Sequence, residues 1–139
     1  MIGIIIVTHH ELGKNCISTA QSLLGKTVES VVSISIDLKV STKELHDLIA
    51  DHIHMLNHLE GILLLTDMFG TTASNLCFSF LQKGRIEVVT GINLPILLKA
   101  IQLQHNQSIS DVAAELENYG KNSIMLANRL IEGNKVSKS

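Results

Sequence analysis

Residues 1–13 read MIGIIIVTHHELG, and the reading of this stretch decides the fold. Ile2 to Val7 is a continuous apolar run rich in β-branched residues, the pattern of a strand covered on both faces in a parallel sheet. It ends abruptly on Thr8, His9 and His10, which places two imidazoles at the exit of a buried strand. Leu12, Cys16, Ile17, Ala20, Leu23 and Leu24 then recur at helical spacing, and Gly25 is placed to end that helix. Val31 to Ile36 reads as a second strand. Ser41 and Glu44 have capping-box spacing and introduce a helix with Leu45, Leu48, Ile49, Ile53 and Leu56 on its inner side, closed by Gly61. Ile62 to Thr66 is the third strand and a helix begins near Thr72. Ile86 to Thr90 is the fourth strand, after the break at Lys83-Gly84, and Pro95 sits near a fourth helix start. Ser110 to Tyr119 reads as helix broken by Gly120, whereas Ile124 to Ala127 fits strand or helix equally.

This alternation implies an α/β domain with a mostly parallel central sheet and helices on both faces. At 139 residues the chain suits one domain, which at this size buries about 70% of its extended-chain surface. Residues 1–131 are expected to form that domain and 132–139 a polar tail. With 45% apolar residues but only three Phe, one Tyr and no Trp, the core must be aliphatic. Base-stacking platforms are not expected, and a net charge of −2 without a basic run removes the footprint of a nucleic-acid binder. Cys16 and Cys77 lie apart in apolar stretches and read as buried free thiols, which fits a reducing cytoplasm. The N-terminal apolar run lacks a basic flank and is too short for a membrane span, so a soluble, cytoplasmic protein is expected.

In a sheet of this type, sites gather at the C-terminal ends of the strands. Thr8-His9-His10, the stretch from Thr66 to Thr72, and Thr90-Gly91-Ile92-Asn93 lie there. A histidine after one strand and an aspartate after another, with hydroxyls beside it, are parts of a nucleophilic set. Neither G-x-S-x-G nor G-x-x-x-x-G-K-[ST] occurs, which leaves the imidazole itself as nucleophile. An Asp accepting from Nδ1 would fix the tautomer and leave the Nε2 lone pair outward, able to attack phosphorus. Thr71 and Thr72 could hold phosphoryl oxygens near a helix start. The residues also have plainer readings: His9 as an exposed loop histidine, Asp67 as a helix cap, Asn93 and Pro95 as loop anchor and helix starter. Met68 and Phe69 fit partner docking and core packing alike. Asp47, Asp51, His54 and His58 share one helical face that reads as solvated rather than metal-binding. His46, His52 and His105 form no constellation, and neither metal nor cofactor is expected.

Three stretches together carry a resemblance: Thr8-His9, the segment LTDMFGTTASN over residues 65–75, and EVVTGINLP over residues 87–95. The chain resembles the mannose-family enzyme IIA domain of the bacterial phosphoenolpyruvate-dependent sugar phosphotransferase system. That resemblance implies a phosphocarrier taking phosphoryl from phospho-HPr on His9 and passing it to an enzyme IIB domain, through which a membrane IIC/IID complex can be reached, for sugar uptake. Asp67 matches the family aspartate that orients the histidine, and Thr72 matches a hydroxyl position of the following turn. It further implies a homodimer with four parallel strands and an antiparallel edge strand exchanged between subunits, which Ser123 to Ala127 would supply. Three residues depart from the family pattern: His10 and Thr71 stand where Gly is usual, and Ala73 where Pro is usual. A side chain at a position with φ > 0 costs about 1 kcal/mol. Two other functions fit the resemblance. One is a regulatory module of an incomplete phosphotransferase chain, whose partner binding follows His9 phosphorylation. The other is the phosphotransfer subunit of a dihydroxyacetone kinase, whose second motif is more like Asp-Leu-Gly-Ser.

Overall fold

The computed structural model describes residues 1–37 and 39–138. Its elements in chain order are β1 (Ile2–His9), α1 (Leu12–Leu24), β2 (Val31–Ile36), α2 (Thr42–Met55), β3 (Gly61–Thr66), α3 (Thr72–Phe78), β4 (Ile86–Thr90), α4 (Leu94–Gln102), α5 (Ile109–Asn122) and α6 (Ala127–Lys138). The four strands form one sheet in the order β2-β1-β3-β4, and every neighbouring pair is parallel. This is the α/β architecture expected from the alternation, with helices on both faces.

The period of two along β1 explains the layers. Ile2, Ile4 and Ile6 join Leu63 and Leu65 in a core covered by α1, α4 and α5 through Ala20, Ile96, Leu97, Val112 and Leu116. Ile5 and Val7 turn the other way with Ile34, Ile62 and Leu64, beneath Leu45 and Ile49 of α2 and Ala73 and Cys77 of α3. A strand covered on both sides must be apolar at consecutive positions, which is why β1 and β3 show no alternation. Cys16 and Cys77 are both free thiols, the first half-buried and the second buried.

Strand order fixes where a site can form. From β1 the chain crosses to β2 on one side and then to β3 on the other, so the crevice between the ends of β1 and β3 is the switch point of the sheet. Val7 pairs with Thr66 in register, which brings the residues that follow each strand face to face.

Several local expectations are corrected. Gly61 does not close α2, which ends at Met55; Gly61 opens β3 and is buried. A Cβ there would stand 2.7 Å from Cβ of Ile109, so the glycine marks a close approach rather than a helix stop. Gly120 does not break α5, which runs on to Asn122. A Cβ at Gly120 would stand 2.6 Å from Cδ1 of Ile96, and this lets α5 press against α4. Leu23, on the same helical pattern as Ala20, is 64% exposed while Ala20 is buried. Helix α6 runs from Ala127 to Lys138. Residues 124–126 have no regular structure in the single chain, and among the described residues the sheet holds only four strands.

Candidate functional site

His9 is the last residue of β1, and Asp67 is the first after β3. Asp67 Oδ2 accepts twice from His9: from its backbone N–H at 2.9 Å and from ring Nδ1 at 2.8 Å. Asp67 Oδ1 accepts from the Met68 amide at 3.0 Å. The aspartate side chain is only 9% exposed and the histidine 34%. Burial pushes the Asp67 carboxyl up, but the His9 amide, the His9 ring bond and its charge together outweigh burial and hold it below its ordinary value. An ionised carboxylate is an acceptor only, so Nδ1 carries the hydrogen, and in the neutral ring it is Nε2 that has the lone pair. Among the described residues Nε2 takes no hydrogen bond.

The exit of β1 is held independently. Thr8 is fully buried, and its Oγ1 accepts from Gly13 N at 2.7 Å, which ties the strand to the first turn of α1. Glu11, the residue before that helix, makes no capping bond of its own, so Thr8 supplies the acceptor from the strand. His10 between them adopts φ +48°, the left-handed region, with its amide donating to Ile36 O at 3.3 Å. The departure from glycine at this position therefore carries the backbone penalty. The departure at Thr71 does not, since φ there is −93°.

Thr71 is the N-cap of α3. Its Oγ1 accepts from Ser74 N at 3.1 Å, and Ser74 Oγ accepts from the amides of Thr71 and Gly70 at 3.0 and 3.1 Å. The Thr71 hydroxyl is thus engaged in a reciprocal capping box. Thr72, the first residue of the helix, is exposed. The structure joins His9 directly to Asp67 and gives Thr71 a capping role. Ser74 was missed as the second half of the box, although the T-x-x-S spacing was readable. Met68 and Phe69 are 55% and 73% exposed rather than core residues, and the Phe69 ring lies tilted on Phe78 at 5.9 Å between centroids.

The remaining candidates stay apart. Asp47, Asp51 and His54 are exposed along α2, whereas His58, expected on the same helical face, is exposed in the turn after the helix ends at Met55. His46 stacks on Phe80 at 4.8 Å, and His52 Nδ1 meets Leu48 O at 2.8 Å. A cavity of about 630 Å³ forms a groove along β4 beside α5, lined in part by Val89, Ile96, Ala113 and Ile124; neither His9 nor Asp67 borders it. No described helix is long and apolar enough to cross a membrane.

A histidine and a carboxylate joined across the switch point of a parallel sheet define an α/β domain with a histidine-centred site. The family model EIIA-man, described as the PTS system fructose IIA component, matches residues 3–117. The chain belongs to this phosphotransferase-system IIA family. It is 31% identical over 72 residues to the PTS system fructose-specific EIIA component of Bacillus subtilis strain 168, a match covering 51% of this chain and 49% of that protein. The chain thus spans about half the length of this curated relative in the aligned region. Among solved structures, the fold is similar to phosphotransferase system component EIIA from Streptococcus agalactiae, with a TM-score of 0.81 at 23% identity over 93% of this chain and 99% of that one. It is also similar to the mannose/sorbose specific IIA subunit from Enterococcus faecalis, with a TM-score of 0.77 at 18% identity over 89% and 92% of the two chains. At these identities the solved structures speak for the fold.

Proposed function

We propose that this chain is a phosphocarrier that accepts phosphoryl from phospho-HPr on Nε2 of His9 and passes it to an enzyme IIB domain for sugar uptake. The observation that carries the reading is the double grip of Asp67 Oδ2 on the His9 amide and ring Nδ1, at 2.9 and 2.8 Å. It favours one tautomer with the Nε2 lone pair free. In the transfer the lone pair of Nε2 forms the new bond to phosphorus, and the donor leaves with the electron pair of the bond that breaks. Asp67 stabilises the positive charge that develops on the ring through its bond to Nδ1–H. Thr72, exposed at the first position of α3, is the phosphoryl-side hydroxyl in this reading. Thr71 contributes by shaping the turn, since its own hydroxyl caps the helix.

Assembly as a homodimer belongs to the same reading. Ile124, Met125 and Leu126 are 82%, 65% and 59% exposed, too apolar a run to be left in water. The free edge of β4 and the groove beside it are suited to take this segment from a second copy as an antiparallel strand.

The decisive experiment incubates the protein with phosphoenolpyruvate, enzyme I and HPr from the same source and maps the label. A phosphoramidate is lost in acid and kept in alkali, unlike phosphoserine or phosphothreonine. His9→Ala is expected to abolish the acid-labile label and His10→Ala to keep it. Label persisting in His9→Ala and lost in His10→Ala would overturn the assignment.

A further inference from the structure

A continuous set of hydrogen bonds runs from the end of β3 to the start of the exposed C-terminal segment. The carbonyl of Thr66, the residue before Asp67, accepts from Gly91 N at 3.0 Å and from Ile92 N at 2.9 Å. Two successive amides can converge on one oxygen only through a tight turn, and Gly91 makes that turn at φ +86°, where a side chain is disfavoured. Asn93 follows. Its Oδ1 accepts from Ile96 N at 2.8 Å and caps α4. Its Nδ2 donates to Ser123 Oγ at 3.1 Å, and Ser123 Oγ–H donates to Gly120 O at 2.8 Å. Because the Ser123 proton is committed to Gly120, the serine oxygen can only accept from Asn93, which fixes the orientation of the amide.

A helix cap needs only an oxygen, and Ser, Thr or Asp would supply one. Asn adds a donor on the same planar, uncharged group, and here that donor reaches another element. The geometry points to Asn93 as a positioning residue. It ties Ser123, the last residue before the segment 124–126, to the turn that grips Thr66, and through Thr66 it holds Asp67 against His9. The inference rests on the proposed roles of His9 and Asp67, and it assigns them a support outside their own loops.

The test uses three single variants and one double variant of the full chain. Asn93→Ser keeps a capping oxygen but cannot reach Ser123. Ser123→Ala removes the same bond from its other end, and Asn93→Ala removes cap and tether together. Three properties are measured: the melting temperature, the ¹⁵N shifts of the His9 ring in the unphosphorylated protein, and the rate of phosphoryl acceptance from phospho-HPr. Asn93→Ser is expected to melt close to wild type, while its His9 ring signals move toward a mixture of tautomers and acceptance slows about tenfold. Ser123→Ala should match it, and the double variant Asn93→Ser/Ser123→Ala should be no slower than either single variant, because both remove one shared bond. Asn93→Ala should melt below both wild type and Asn93→Ser, without further loss of rate. Wild-type ring signals in both Asn93→Ser and Ser123→Ala would reduce Asn93 to a helix cap and overturn the inference. The ring signals need no transfer, so a chain that takes no phosphoryl from HPr counts against the proposed function while the tether is still judged by the ring.

Discussion

The two ends of this molecule that face outward differ in how complete they are. At the switch point between β1 and β3, the carboxylate oxygens of Asp67 meet three donors within the same chain, and the strand exit is fastened by Thr8. At the other extreme, the segment 124–126 and Leu130 and Ile131 beyond it present large apolar side chains to solvent. A polar site can be finished by local hydrogen bonds between neighbouring loops. An apolar segment can be finished only by area, and among the described residues this one stays largely uncovered. The first region is therefore able to act as built, whereas the second asks for a partner.

The sharpest way to break that contrast is to remove the incomplete region. A chain ending at Ser123 is expected to sediment as a monomer where the full chain sediments as a dimer at micromolar concentration, with the His9–Asp67 pair still visible by its ring signals. A full-length protein that is a well-folded monomer would count against strand exchange. The next effect falls within the complete region. Asp67→Asn keeps the size but loses a charge-assisted bond of about 1.5 to 3 kcal/mol, so acceptance on His9 should slow by about one to two decades if this is fully expressed in the transition state. Unchanged phosphorylation kinetics would leave Asp67 a structural role only.

A smaller effect concerns acid. The Asp67 carboxyl is held below its ordinary value in the folded chain, so the folded state binds its proton less readily than the unfolded state does. Its stabilisation is fully present above the unfolded value of about 4 and is lost as pH falls through the lower folded value. Melting curves of wild type and Asp67→Asn between about pH 6 and pH 2 should therefore converge at the acid end. A gap that stays constant over this range would show that the carboxylate is not the source. The least effect is expected at His10→Gly. Relieving a side chain at φ +48° should stabilise the fold by about 1 kcal/mol, net of the added freedom of the unfolded chain. Denaturant unfolding measures it, and the acid-labile label should persist.

The sequence made the site's parts legible because they sit at strand ends, where apolar runs stop abruptly. His9 and Asp67 could be singled out for that reason, and so could the parallel α/β class. That β1 and β3 are neighbours is a matter of long-range pairing that periodicity cannot report. Gly61 and Gly120 were misread for a related reason. Locally a glycine signals a helix end, but at these positions it answers to the nearness of Ile109 and Ile96 from elsewhere in the chain. The Asn93–Ser123 bond joins residues thirty apart and has no sequence signal beyond the capping role of Asn93. Thr71 was readable as a cap through its spacing to Ser74, yet its nearness to Asp67 drew attention to its hydroxyl instead. Ile124 to Ala127 stayed undecided by pattern because so short an apolar run suits a strand or a helix equally, and only the resemblance assigned it to an edge strand.

The double grip of Asp67 Oδ2 also has an entropic meaning. An imidazole has two rotatable bonds, and a free histidine at a surface samples several orientations. Here one oxygen binds both the amide and the ring nitrogen of the same residue, which closes a small cycle of atoms around those two bonds. The orientational freedom of the His9 ring is surrendered when the chain folds, and in the proposed role it need not be surrendered when a donor arrives. Immobilising such a side chain at an encounter costs about 0.5 to 1.5 kcal/mol, and under the proposed function a brief collision with a donor protein is spared that cost. A ring already aimed lets the contact between them remain weak, and a weak contact is quickly released.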